Sequence, residues 1–68
     1  MKIEELEHLK ADRRLQVRHG RGTVAARFCR FSTTKAGVKL LVVQKFHWQT
    51  NHYGNPVRIT AADVVSIY

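Results

Sequence analysis

Acidic residues are scarce in this sequence: five Asp and Glu stand against twelve Lys and Arg, for a net charge of +7. That scarcity leaves no carboxylate pair for general acid–base chemistry, because Glu4, Glu5 and Glu7 crowd one short segment and Asp63 stands alone. Cysteine is reduced to Cys29, which excludes an internal disulfide, so the fold must rest on an apolar core or on self-association. A reducing, cytoplasmic setting is the expectation from that usage. With only one proline and four glycines at 44% hydrophobic content, the composition is that of a folded chain and not of a disordered one. Long apolar runs are missing as well. The longest, Leu40-Leu41-Val42-Val43, is far too short to span a bilayer, and the charged opening MKIEELEHLK lacks the apolar run of a signal peptide. No membrane association is expected.

What is present is uneven. Residues 1–12 carry two lysines against four acids and sum to −2, whereas residues 13–68 carry ten cations against Asp63 and sum to +9. The basicity therefore belongs to the body of the domain, and such a field attracts polyanions, of which nucleic acid is the commonest. Solubility or an acidic protein partner would also account for it. The length, 68 residues, allows one small domain.

Ile3, Leu6 and Leu9 recur at a spacing of three with charged residues between them. This predicts a short amphipathic helix within residues 1–14, with acids near its start and Lys10, Arg13 and Arg14 near its end, as the helix dipole favours. From residue 15 the pattern turns to strands. Leu15–His19 alternates, Gly20-Arg21-Gly22 breaks it, and Thr23–Phe31 resumes with Val24, Ala26 and Phe28 on one face. Ser32–Gly37 reads as a loop and Val38–Phe46 as a strand apolar on both faces. Val57–Ile59 is a short strand, Thr60-Ala61-Ala62-Asp63 has capping-box spacing for one helical turn, and Val64–Tyr68 is a closing strand. The predicted fold is mainly β, a five-stranded small barrel over residues 15–68 with the helix of residues 1–14 packed on it.

One helical turn before the last of five strands resembles the SH3-like barrels. An N-terminal helix before such a barrel resembles the Sm-like family, with strands comparable to LQVRHG, TVAARFCRF, VKLLVVQ, PVRIT and VVSI. More locally, Val17-Arg18-His19-Gly20-Arg21-Gly22-Thr23-Val24 is similar to the V-x-H…G-x-V opening of Tudor-like domains, found in repair helicases and RNA-polymerase-binding factors. This chain has fewer residues between the His and the Gly-x-Val than that family usually has, and no aromatic there. The resemblances imply nucleic-acid binding or protein docking, and fold analogy supplies a prior, not a site.

Two groups of residues are candidates for contact. Lys45–Pro56 collects Phe46, Trp48, Tyr53, His47 and His52, and the segment reads as an unusually long hairpin connection. Trp48 and Tyr53 offer flat faces to unpaired bases, His47 and His52 can stack or donate, and Lys45 and Arg58 flank them with charge for phosphate. Equally, Phe46 and Trp48 would plug the end of a small barrel, which makes Tyr53 the ring expected to be exposed. Arg18, Arg21, Arg27 and Arg30 form the second group, with Arg18 and Arg27 pointing outward by alternation to hold a phosphate backbone without reading sequence.

No metal site is expected, since no Cys-x-x-Cys or His-x-x-x-His spacing exists. No cofactor and no catalytic residue are expected either, as phosphate loops and nucleophile elbows are missing. The reading is a basic nucleic-acid-binding module for RNA or DNA, not an enzyme. The alternative is a protein-interaction module docking to an acidic transcription or repair protein, in the manner of a phage or mobile-element accessory factor. A homo-oligomer is compatible with either.

Overall fold

Alternation of branched aliphatic and polar residues drives the chain into strands, and the hairpin turns between them are short enough to zip neighbours together. The computed structural model describes all residues, 1–68. A helical turn α1 (Ile3–Leu6) is followed by β1 (Arg14–His19), β2 (Gly22–Thr33), β3 (Lys39–His47), β4 (His52–Ile59), a 3-10 turn (Ala61–Asp63) and β5 (Val64–Ile67). All pairings are antiparallel, in the order β4-β3-β2-β1-β5. No helix is long and apolar enough to cross a membrane.

The architecture is mainly β, as expected, but the closed barrel is not formed. β4 and β5 end the ladder as two unpaired edges. The last strand, Val64–Ile67, is only four residues long and pairs with β1 along one edge, through Leu15↔Ile67 and Gln16↔Ser66, while no strand lies along its other edge.

The turns follow from their residues. His19 pairs with Gly22, so Gly20 and Arg21 alone make the β1–β2 turn, and Gly20 takes a φ of 59° at its first central position. A type II′ turn demands glycine there. The β3–β4 connection is Trp48–Asn51, where Thr50 donates from N and Oγ1 to the His47 carbonyl and Asn51 takes a φ of 58°. The expected long aromatic connection is therefore a four-residue turn, because β4 begins at His52 and not at Val57.

Ten side chains are buried, all of them apolar, so the core has no polar group to satisfy. Leu15 and Val17 of β1, Ala26 and Phe28 of β2, Leu41 and Val43 of β3, Ile59 and Val64 cluster on one face of the sheet. Leu6 seals that cluster from above, fully buried, while Met1, Ile3 and Leu9 pack around it. The N-terminal amine donates to the carbonyls of Ala61 (3.3 Å) and Val64 (3.1 Å), fastening the segment over the last strand. The spacing-of-three stripe thus does face the core, but on a helix of four residues and not over residues 1–14. Lys2 has no oxygen to cap the helix, and so short a segment has little helical stability of its own. Past it the chain turns twice and reaches β1 through Asp12, at a φ of 71°.

Thr60 and Asp63 flank the 3-10 turn as expected, but not as a capping box. The Thr60 hydroxyl donates to the Asp63 carboxylate at 3.4 Å, and the Asp63 N–H goes to the Thr60 carbonyl.

Two register shifts carry most of the departures from strict alternation. In β2, Phe28 pairs with Val43 and Arg30 with Val42, so Cys29 is an extra residue in a bulge. The bulge lets Phe31 return to the core side, its ring 4.9 Å from that of Phe28. In β4, Gln44 pairs with Pro56 and Phe46 with Tyr53, so Gly54 and Asn55 absorb one extra residue. Tyr53 is thereby delivered to the face opposite the core.

Candidate nucleic-acid interface

The face of the sheet opposite the core follows from the register. Residues paired across an antiparallel ladder project to the same side, and this places Arg14, Gln16 and Arg18 of β1 beside Arg27, Ala25 and Thr23 of β2. The next rows add Gln44 and Val42 of β3, then Pro56 and Arg58 of β4. Arg30 and Arg58 both oppose Val42, one on either side, two strand spacings or roughly 10 Å apart. Along β2 the arginine rows run from the Arg18↔Thr23 pair to the Arg30↔Val42 pair. At about 3.4 Å per residue that is roughly 20 Å of basic surface.

One cation on this face is engaged. Arg27 donates to the Gln44 side chain (3.1 Å from Nε), lies 4.5 Å over the Tyr53 ring and approaches Asp12 at 3.7 Å. That last contact is the only salt bridge in the molecule. Arg14 and Arg27 stand directly opposite, and the clamp on Gln44 and Tyr53 draws the Arg27 charge toward β3 and β4. Arg14, Arg18, Arg30 and Arg58 are exposed without a carboxylate partner.

Between these charges lies an open cleft of about 510 Å³ lined by Arg14, Ala25, Phe46, Tyr53 and Tyr68. Its floor is the small side chain of Ala25, and its walls are three aromatic rings. Phe46 meets Tyr53 edge-on at 5.2 Å, and Arg27 covers Tyr53, so that ring is held in place. Tyr68, tied to β1 by its N–H to the Arg14 carbonyl (3.1 Å), stays 60% exposed. A second depression of about 430 Å³ is lined by Glu5, His8, Lys10 and Arg13 among others; its mixed charge favours no one ligand sign.

The predicted site residues therefore divide. Arg18, Arg27, Arg30, Arg58 and Tyr53 share the outer face, and Arg21 caps one end of it in the β1–β2 turn. Lys45 does not join them: it pairs with Ala26 and projects to the core side, half-buried. His47 and His52 are cross-strand partners at the far end of the β3–β4 hairpin, with the His47 ring lying over Gly54. A Cβ at Gly54 would come within 2.5 Å of His47 Nε2, so any larger residue there would displace the exposed His47 ring. Trp48, in the turn itself, is 75% exposed, whereas Tyr53 is half-buried. This reverses the expectation that Tyr53 would be the more exposed ring, and of the two readings of Trp48 it removes the plug. Arg27 likewise is no free outward charge.

Arg14 and Tyr68 were missed as site residues. Arg14 continues the outward series Arg14, Gln16, Arg18 against inward Leu15 and Val17, a signal that was legible but hidden by assigning Arg14 to the helix end. No group of three or more His, Cys, Asp or Glu side chains is assembled anywhere in the fold. Comparison with known proteins gives no relative: no family model, no curated protein and no solved structure matches the chain.

Proposed function

We propose that this chain is a small nucleic-acid-binding module, without a catalytic role, whose contact surface is the arginine-bearing outer face of its sheet. The observation that carries the reading is the separation of charge. Arg14, Arg18, Arg30 and Arg58 come from three strands to one face with no carboxylate against them. Glu4, Glu5 and Glu7 sit on the segment that covers the opposite face. A basic surface of this kind suits a phosphate backbone, and its spread over roughly 20 Å is long enough to meet several successive phosphates.

The finer fold reading is a relative of the SH3-like barrels opened between its fourth and fifth strands. It is supported by the helical turn before β5 and by β1 lying between β2 and β5. Protein docking is the second reading, favoured by the two unpaired edges, since an added strand is a common way for sheets to bind peptides.

Titration with random single-stranded RNA, single-stranded DNA and duplex DNA at two salt concentrations separates them. Binding whose logarithm falls linearly and steeply with log salt is the expected result. Absence of binding to all three at low salt would overturn the nucleic-acid reading and turn attention to the strand edges.

A further inference from the structure

We infer that the outer-face cleft is a nucleobase pocket: it takes one unpaired base against Tyr68 and Phe46, with the adjoining phosphate on Arg14. This rests on the nucleic-acid reading and deepens it, because a flat basic face alone would not tell single strands from duplex.

Three observations point to this occupant. First, the walls are planar and apolar: Phe46, Tyr53 and Tyr68 supply the rings, and Ala25 leaves the floor open. A base offers a π-face to stack on such walls whatever its identity. Second, the only charged side chain in the lining is cationic, Arg14, and Arg27 stands directly opposite it in the ladder. A ligand carrying positive charge, such as a methylated lysine, is disfavoured by both guanidinium groups, whereas a nucleotide brings its own anion. Third, the pocket is braced before any ligand arrives. Tyr53 is fixed between the Arg27 guanidinium and the edge of Phe46, and Arg27 is in turn fixed by Gln44. Tyr68 alone keeps most of its surface exposed, which makes it the ring that closes on the base. The volume, about 510 Å³, lies within the range of small-ligand sites, and a base held in a duplex has both faces covered and cannot enter.

The site also interrupts the run of arginines. Arg18 lies on one side of the cleft along the strands, and Arg27, Arg30 and Arg58 lie on the other. A strand crossing the face would therefore be held by phosphates at both ends while one base turns inward between them.

The test uses the whole chain and three probes: a twelve-nucleotide oligothymidine, the same oligonucleotide with abasic sites throughout, and a duplex of equal length. Two variants address the pocket. Tyr68→Ala removes the exposed ring, and Ala25→Leu fills the floor while leaving every ring and charge in place. Thermal melts establish that both are folded. The expected result is that the wild type prefers the intact strand over the abasic one by about tenfold, a stacking contribution in the usual range for one base. That preference should disappear in both variants while their abasic affinity stays unchanged. Arg14→Gln should weaken intact and abasic strands alike and reduce the salt slope by about one phosphate for each. Equal wild-type affinity for intact and abasic strands, with a steep salt slope, would overturn the base pocket and leave the basic face standing. A preference for the intact strand that survives in both variants would also overturn it, by placing the stacking elsewhere. Failure to bind any of the three probes at low salt would remove the pocket and the broader reading together.

Discussion

The two faces of this sheet are made from the same strands and the same ladder, yet they obey different rules. On the inner face every buried side chain is aliphatic or Phe, no polar group is buried, and Leu6 closes the cluster. On the outer face the same positions, shifted by one residue, hold arginines, glutamines and tyrosines around a few apolar residues such as Val42 and Phe46, and a single ion pair serves the whole surface. The inner face is over-determined: each residue there is fixed by several neighbours, so the fold tolerates little change. The outer face is less determined: outside the Arg27, Gln44, Tyr53 and Phe46 contacts its charges are held only by the backbone register, and surplus interaction capacity is what a binding surface needs. Arg27 is the exception that joins the two regimes, an outer-face cation used as a structural clamp.

Substitutions sharpen this contrast in a definite order. Leu6→Ala should do the most damage, about 2–5 kcal/mol by denaturant melt, because it removes a fully buried side chain from a nine-residue core cluster. A loss well under 1 kcal/mol would mean that the N-terminal turn is an ornament and that the inner face stands without it. Arg27→Ala comes next, at about 1–2 kcal/mol, from the lost stacking on Tyr53 and the hydrogen bonds to Gln44. Its exposed partner Asp12 adds little to that figure. Arg14, Arg18, Arg30 and Arg58, changed one at a time to Ala, should each stay within about 0.5 kcal/mol of wild-type stability. Each should instead lower the salt slope of nucleic-acid binding by about one. A stability loss at these positions equal to that of Arg27→Ala would erase the distinction between clamp and contact. Trp48→Ala, at the exposed hairpin tip, should be the mildest on stability, within about 0.5 kcal/mol.

Much of the inner face was legible in the sequence because it obeys alternation. Leu15, Val17, Val24, Ala26 and Phe28 read directly as one face, and the β1–β2 turn was marked by its glycines. The stripe Ile3, Leu6, Leu9 gave the right contact surface on too long a helix, since periodicity reports a face and not the length over which hydrogen bonds hold. The outer face was harder. Tyr53 reaches it only through the extra residue at Gly54 and Asn55, and Arg30 comes into line with Arg58 only through the bulge at Cys29. A bulge leaves no periodic trace, and glycine beside asparagine reads as an ordinary turn. For the same reason alternation alone starts β4 five residues late, at Val57 and not His52, and makes the hairpin tip too long. Closure failed for a different cause: it depends on whether two edges meet in space, which no local pattern encodes.

The pairing of β1 with β5 has a consequence for how the fold is reached. β1 to β4 form a meander in which every ladder joins consecutive strands, so each hairpin can form from nearby residues. The contact between Gln16 and Ser66 spans 50 residues and requires the whole meander to be folded back on itself. Contacts of such separation slow folding through loop closure and belong late in the pathway. Both the amine of Met1 and the side chain of Leu6 await that event, because the carbonyls of Ala61 and Val64 and the last core residue, Val64, arrive with it. Until β5 pairs with β1, the meander lacks the two residues, Val64 and Leu6, that complete its apolar side.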